Sequence, residues 1–201
     1  MTYFLQQGTP FIYQGQEIGM TNYPFESIET FNDVAEKNEY HIVKEQGGDI
    51  NQLLNKYNME NRDNSRTPMQ WNDTKNAGFT NGRPWFPVNP NYKVINVERQ
   101  RHDNHSILQF YKKLIQLKKS DDVYTYGTFN MMDNHNSKLF AYTRKLNDKT
   151  ALIVGNLTDQ MASLELPFEL NDTAQVKLHN YQHNKIDIKH VKPYEDFVLE
   201  L

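Results

Sequence analysis

Gly8-Thr9-Pro10-Phe11-Ile12-Tyr13-Gln14-Gly15-Gln16-Glu17-Ile18-Gly19 carries a short apolar run straight into a glycine-rich bend. Bounded by turn residues on both sides, Pro10–Tyr13 predicts a short buried strand rather than a helix. Glu17 follows directly, and a carboxylate just past a buried strand sits where α/β barrels keep their functional groups. Glu17 has a plainer reading too, as a carboxylate that bonds neighbouring backbone N–H groups and holds the bend. Residues 1–7 read as the last turn of a helix stopped by Gly8. A helix is worth forming only from about 12 residues, so the chain is expected to open at the tail end of an element.

A second stretch, Asn61-Arg62-Asp63-Asn64-Ser65-Arg66-Thr67-Pro68-Met69-Gln70-Trp71, has no helical or strand period. It reads as a rigid polar loop shaped for something rich in hydroxyls. Arg62 and Arg66 offer planar forks of donors suited to carboxylates, phosphates or vicinal hydroxyls. Asp63 can accept from sugar hydroxyls or hold an arginine in place, and Trp71, Phe79, Trp85 and Phe86 can offer ring faces to a pyranose. The plainer reading makes Arg62–Asp63 a structural ion pair and puts Trp71 and Trp85 in the core.

The rest of the chain supplies a frame. Helical spacing over 26–46 places Ile28, Phe31, Val34 and Ala35 on one face, and Gly47-Gly48 ends it. Asp49 then caps a helix carrying Ile50, Leu53, Leu54 and Tyr57. Residues 61–102 show no period, and a run of that length inside a compact fold is functional more often than not. Helix 103–119 is the clearest element: Ile107, Phe110, Tyr111, Leu114 and Ile115 share a face, with Asp103 or Asn104 as cap and lysines in its last turns. After 122 the period becomes two. Strands are predicted at Val123–Tyr126, Leu139–Thr143, Ala151–Val154, Ser163–Leu166, Val176–Leu178 and Phe197–Leu199. Turns fall at Gly127, Asn147-Asp148, Asn171-Asp172 and Asn184. This spacing predicts a small antiparallel β-sandwich from about residue 121.

Composition narrows the function. With 37% hydrophobic residues in 201 and a mean hydropathy of −0.82, the chain is polar for an independent domain of its length and resembles a piece of a larger protein. A net charge of −3 without a basic block gives no electrostatic footprint for nucleic acid or an anionic membrane. No run of about 18 apolar residues is present to span a bilayer, and residues 1–7 lack the pattern of a secretory leader. Cysteine is absent, which excludes disulfides and thiolate chemistry. A cytoplasmic location is the resulting expectation. The seven histidines show no metal-ligand spacing, so neither metal nor cofactor is expected. Glycoside hydrolysis with retention needs two carboxylates about 5–5.5 Å apart. Glu17, Asp33, Asp49, Asp63 and Asp73 lie in helices, caps or loops and offer no such pair. No catalytic residue is assigned within the chain.

The two opening stretches resemble the alpha-amylase family of glycoside hydrolases, in its oligo-1,6-glucosidase/alpha-glucosidase branch. Gly8–Met20 is similar to the eighth barrel strand and following bend of that family. Asn61–Trp71, Ala77-Gly78-Phe79, Pro84-Trp85 and Val88-Asn89-Pro90-Asn91-Tyr92 are similar to the long loop before its final barrel helix. The resemblance implies residues 1–120 as the C-terminal part of a (β/α)8 barrel and 121–201 as a terminal antiparallel domain. It implies Arg62 as the residue reaching sugar in subsite −1, with Asp63 and Arg66 beside it, and Glu17 and Gln14 as loop support near the site. It also implies that the nucleophilic Asp, the acid/base Glu and a stabilising Asp come from earlier strands, so these residues alone are expected to be inactive.

The expected activity is therefore hydrolysis of short α-1,6- or α-1,4-linked oligosaccharides by a complete enzyme, with the N-terminal remainder of the barrel as partner. Trehalose-6-phosphate hydrolase is the alternative within the family. The alternative of another class is a non-catalytic sugar-binding or interaction module. That module would need a row of exposed aromatics; Tyr124/Tyr126 and Phe140/Tyr142 each share a strand face, but both pairs fit core or cross-strand packing better.

Overall fold

The computed structural model describes residues 1–170, 173–181 and 186–201, and the turns expected at Asn171-Asp172 and Asn184 lie outside the described residues. The helices are α1 (Val34–Glu45), α2 (Ile50–Glu60), α3 (Val97–Arg101), α4 (Ile107–Ser120) and α5 (Val123–Tyr126). The strands are β1 (Thr128–Met132), β2 (Leu139–Leu146), β3 (Lys149–Asn156), β4 (Gln175–His179) and β5 (Asp196–Glu200). The chain divides into two compact units, Met1–Ile12 with Phe110–Leu201, and Tyr13–Gln109; the division falls inside α4.

In the first unit the strands form one antiparallel sheet in the order β1-β2-β3-β5-β4. Asn147-Asp148 closes a two-residue hairpin between Leu146 and Lys149, with Asn147 at φ 54° as such a turn requires. Both faces are covered. Tyr142, Ala151, Ile153 and Val198 pack against Phe4, Leu5, Leu114, Val123 and Tyr124 on one side. Leu139, Ala141, Leu152, Val154, Phe197 and Leu199 pack against Ala162, Leu164 and Val191 on the other. That double burial explains why Ala151–Val154 is an unbroken apolar run rather than an alternating one.

Three departures from the sequence reading occur here. Among the described residues the expected sandwich is a single sheet. Ser163–Leu166 forms no ladder; it runs extended over the sheet, held by an isolated Ala162–Val191 bridge and by Leu164 N–H donating to the Ile188 carbonyl. Val123–Tyr126 is a helical turn, because the Asp121 carboxylate accepts the Val123 N–H and bends the chain just ahead of it. With Tyr124 buried and Tyr126 exposed on that turn, and Tyr142 inside the core, no aromatic row exists there. Finally, β1 was not expected: it is an edge strand, exposed along nearly its whole length, and so shows no alternation.

Arg144 of β2 organises this unit. It is fully buried, and among the described residues its guanidinium meets no carboxylate. Nε and Nη2 both donate to the Gly127 carbonyl, at 3.1 and 2.7 Å. Nη1 donates to Leu5 and Tyr124 at 2.6 and 3.0 Å, and Nη2 to Thr125 at 3.2 Å. These carbonyls belong to the turn at Met1–Leu5 and to the end of α5, neither of which has a ladder to satisfy it. Gly127 must lack a side chain, since a Cβ would stand 2.5 Å from the Val123 carbonyl. Burial lowers the Lys118 pKa, and the neighbouring Arg144 charge adds to the effect.

The second unit is helical and loop-rich. Helix α1 starts later than its apolar spacing implied, because the Asp33 side chain caps it by accepting the Ala35 N–H. Val34 is consequently exposed, whereas Ile28 and Phe31 are buried with Phe25, Tyr40, Tyr57 and Phe86. Asp49 caps α2 as expected, through the Asn51 and Gln52 N–H groups. Helix α4 starts at Ile107, and its cap is Ser106, whose Oγ accepts the Gln109 N–H; Asp103 instead bonds His105 N–H one turn earlier. The aperiodic stretch from 61 is pinned by amide side chains. Buried Gln70 donates to the Ile95 carbonyl, and Asn89 donates to the carbonyls of Thr21 and Asn22.

Replacing Arg144 with Met keeps much of its volume but takes that donor from the Leu5, Thr125 and Gly127 carbonyls, while Tyr124 keeps Lys118 Nζ at 3.0 Å. We expect Arg144→Met to lower unfolding stability by on the order of 3 kcal/mol or more, read as a lower urea midpoint with the slope unchanged. Arg144→Lys restores only part of the loss, because one ammonium cannot reach every carbonyl.

Candidate functional site

The Tyr13–Gly19 part of the first polar stretch and the Asn61–Trp71 stretch meet in the Tyr13–Gln109 unit. They line a groove of about 440 Å³ whose walls include Tyr13, Gln14, Gly15, Arg62, Asn64 and Ser65. The Tyr13 hydroxyl donates to the Ser65 carbonyl at 2.9 Å and ties the walls together. Pro10–Tyr13 is not a buried strand: among the described residues no strand pairs with it, and Phe11 is 84% exposed. An extended segment without a neighbour has no ladder to define it. The bend beyond it is well fixed. Gly15 adopts φ 91°, its carbonyl accepts Met20 N–H at 2.9 Å, and a Cβ on it would meet Met20 Sδ at 2.6 Å.

Glu17 lies half-buried in the 3₁₀ turn Gln16–Ile18. It makes no hydrogen bond to neighbouring amides, contrary to its plainer reading, and its Oε2 is shielded without a partner. The bend is held instead by Gln16, whose Oε1 accepts the Tyr13 N–H at 3.2 Å. Gln14 is exposed on the groove wall.

The second wall is the 3₁₀ turn Arg62–Arg66, opened by Asn61, whose Oδ1 accepts the Asp63 N–H. Asp63 is fully buried and makes three contacts. Its Oδ2 takes the N–H groups of Asn32 and Asp33 at 2.6 and 3.1 Å, and its Oδ1 takes Arg66 Nη1 at 2.8 Å. The structural ion pair is thus Asp63–Arg66, not Arg62–Asp63: across three positions of this tight turn, Arg66 is the residue that returns over Asp63. Arg62 is 72% exposed, and its Nε lies 3.2 Å from Asp33 Oδ2. Among the described residues its two Nη groups make no hydrogen bond. One arginine is structural and the other is available.

Asp33 and Glu36 were not singled out as site residues, and both stand beside Arg62. The one sequence signal was an Asp ahead of a helix with Glu three positions on, which reads as ordinary capping. Glu36 Oε2 is shielded and unpartnered. Burial, aided by the negative charges of Asp33 and Asp63 and opposed by Arg62, pushes its pKa up to about 7. Trp71 and Trp85 are exposed rather than core, Trp85 at 74%, while Phe86 beside it is buried. No group of three or more His, Asp or Glu suited to a metal occurs among the described residues.

Residues 1–127 match the family described as alpha amylase, catalytic domain, and residues 129–192 match maltogenic amylase, C-terminal domain. The chain belongs to the alpha-amylase family. Its fold class is accordingly that of the family, a TIM barrel with a C-terminal antiparallel sheet domain, and the five-stranded sheet is the latter's. The chain is 41% identical over 201 residues to an oligo-1,6-glucosidase of Bacillus cereus, covering 98% of this chain and 36% of that protein. Among solved structures, the trehalose-6-phosphate hydrolase of Bacillus licheniformis superimposes with a TM-score of 0.92 at 39% identity, over 99% of this chain and 37% of that one. An isomaltulose synthase from Protaminobacter rubrum gives 0.89 at 39% identity, over 99% and 37%. This alpha-amylase family chain therefore spans little more than a third of the length of the relatives it matches.

The raised Glu36 pKa has a signed consequence. The folded form holds the proton more tightly than the unfolded chain, so this contribution is fully present below about pH 4.5. It is lost as the pH rises through about 7. Glu36→Gln should remove that dependence: relative to the parent, the variant gains stability between pH 5 and pH 8. Urea unfolding at the two pH values measures this, and an equal gap at both excludes the shift.

Proposed function

We propose that this chain is the C-terminal portion of a retaining α-glucosidase acting on short α-1,6- or α-1,4-linked oligosaccharides. The observation that carries the reading is the Nη fork of Arg62, held over the groove by an ion pair and otherwise unengaged. A planar fork of N–H donors fits two vicinal hydroxyls of a glucosyl ring in bidentate fashion. Asp63 and Arg66 then support Arg62, and Gln14 and Glu17 support the facing bend. In this reading, the carboxylates that attack the anomeric carbon and protonate the leaving oxygen stand elsewhere in the longer polypeptide.

The same reading gives Pro10–Tyr13 a role. We assign it as the eighth barrel strand, whose exposed residues would be covered by barrel neighbours, with the barrel ending near residue 120 and the terminal domain running from 121. The junction of the two family matches near residue 128 is compatible with that boundary. Cytoplasmic carbohydrate metabolism is the setting proposed, without cofactor, nucleic acid or membrane. A trehalose-6-phosphate hydrolase is the second reading, favoured by the superposition with that enzyme. The 41% identical oligo-1,6-glucosidase and the Val88–Tyr92 segment favour the first.

The intact mass of the native polypeptide, captured by an antibody to residues 121–201, tests the frame: a species well above the 23.8 kDa of this chain is expected. In that species, isomaltose should be hydrolysed in preference to trehalose 6-phosphate, and Arg62→Ala should lower kcat/KM by roughly 100-fold. Preference for the phosphorylated disaccharide would install the second reading. No hydrolysis of any α-glucoside would overturn both.

A further inference from the structure

A glycosidase arginine that must meet a diol with its Nη fork has a difficulty. Its side chain carries about 2 kcal/mol of rotamer entropy, and Arg62 projects largely into solvent. Something has to fix it before substrate arrives, and among the described residues Asp33 is the carboxylate that pairs with it. Asp33 Oδ2 lies 3.2 Å from Arg62 Nε as an ion pair, and among the described residues both Nη groups stay unengaged.

Asp33 is itself anchored from three directions. Its Oδ1 accepts the Ala35 N–H at 3.0 Å and so caps α1. Its own N–H is held at 3.1 Å by the buried Asp63 carboxylate, and the Asn32 N–H beside it at 2.6 Å by the same oxygen. Asp63 in turn is fixed by Arg66 and by the turn that carries Arg62. The rotamer of Asp33 is therefore set by the cap, and its position by the same turn that presents the arginine.

Resting on the glucosidase reading above, we propose that Asp33 is the positioning residue for Arg62. It touches no substrate; it holds the guanidinium by the ion pair at Nε so that both Nη groups stay free for the groove. The α1–α2 segment, which supplies no sugar contact in the reading given above, thereby becomes part of the binding apparatus. Arg66 makes the corresponding link at the base of the turn, through Asp63.

The test uses the full-length polypeptide as it occurs in its cells and the substitution Asp33→Asn, which retains a good helix cap while removing the charge. Asp33→Asn should raise KM about tenfold with kcat little changed, leave the thermal midpoint within a degree or two, and add nothing in an Arg62→Ala background. Additive losses, or an unchanged KM, overturn the proposal. A second readout does not depend on activity. In arginine-labelled protein the Arg62 Nε–H signal should be displaced by Asp33→Asn and untouched by Glu39→Gln; insensitivity to Asp33→Asn overturns the proposal. A chain in which that signal responds but no α-glucoside is cleaved refutes the glucosidase reading and leaves the contact standing.

Discussion

The buried carboxylate of Asp63 is the constraint on which the candidate site depends. A charge with no solvent exposure is tolerable only when its lone pairs are filled, and Asp63 is filled by two backbone N–H groups and one guanidinium drawn from two separate segments. Each of those bonds has a consequence beyond satisfying the charge. The backbone bonds bring residues 32–33 against the Arg62–Arg66 turn across some thirty positions of sequence. The bond to Arg66 removes the nearer arginine from competition. What is left over is Arg62, with Asp33 delivered to its flank. Removing Asp63 would lose the cap geometry, the arginine pair and the groove wall together.

Arg144 is the same solution with the sign reversed. A buried cation whose partners among the described residues are carbonyls suits a place where irregular backbone ends inside a core. The turn at the start of the chain and the last carbonyls of α5 have no regular partners, and a rigid fork of donors fills several at once. Each unit is thus pinned by one buried charge acting largely on backbone, with Asp63 adding a single ion pair to Arg66. Desolvating a carboxylate together with an arginine often returns little net stability. Desolvating one charge against fixed dipoles avoids having to orient a second flexible side chain.

How far the sequence foretold this follows from the range of each interaction. Helix α4 was legible because five apolar residues recur on one face, and α2 because Asp49 stands ahead of its own apolar turn. Strands β2, β3 and β5 were legible from β-branched and aromatic runs. Val123-Tyr124-Thr125-Tyr126 misled because its alternation is that of a strand, while a side-chain-to-backbone bond from Asp121 turns the chain there. The edge strand β1 was invisible because nothing buries one of its faces. Within the site, Arg62, Asp63 and Arg66 stood out by type, yet the pairing among them depends on the return of a 3₁₀ turn. Asp33 was beyond reach altogether, since its meeting with Arg62 is a tertiary fact and its local pattern advertises only a helix cap.

The division of labour between the arginines has a further implication for how such a loop stays competent. Two guanidiniums and two aspartates in so small a volume admit an exchanged pairing, in which Arg62 folds back onto Asp63 and Arg66 swings outward. Burial decides against it. Asp63 has already committed Oδ2 to two amides of the neighbouring segment, leaving only Oδ1 and one direction of approach, from the side where Arg66 lies. Asp33 has committed Oδ1 to its helix, leaving only the direction in which Arg62 lies. Each carboxylate is half-occupied by backbone before any arginine is considered, so the backbone selects the partner. Specific pairing here is a property of main-chain geometry, and a conservative exchange of side chains would not transfer it to a differently folded loop.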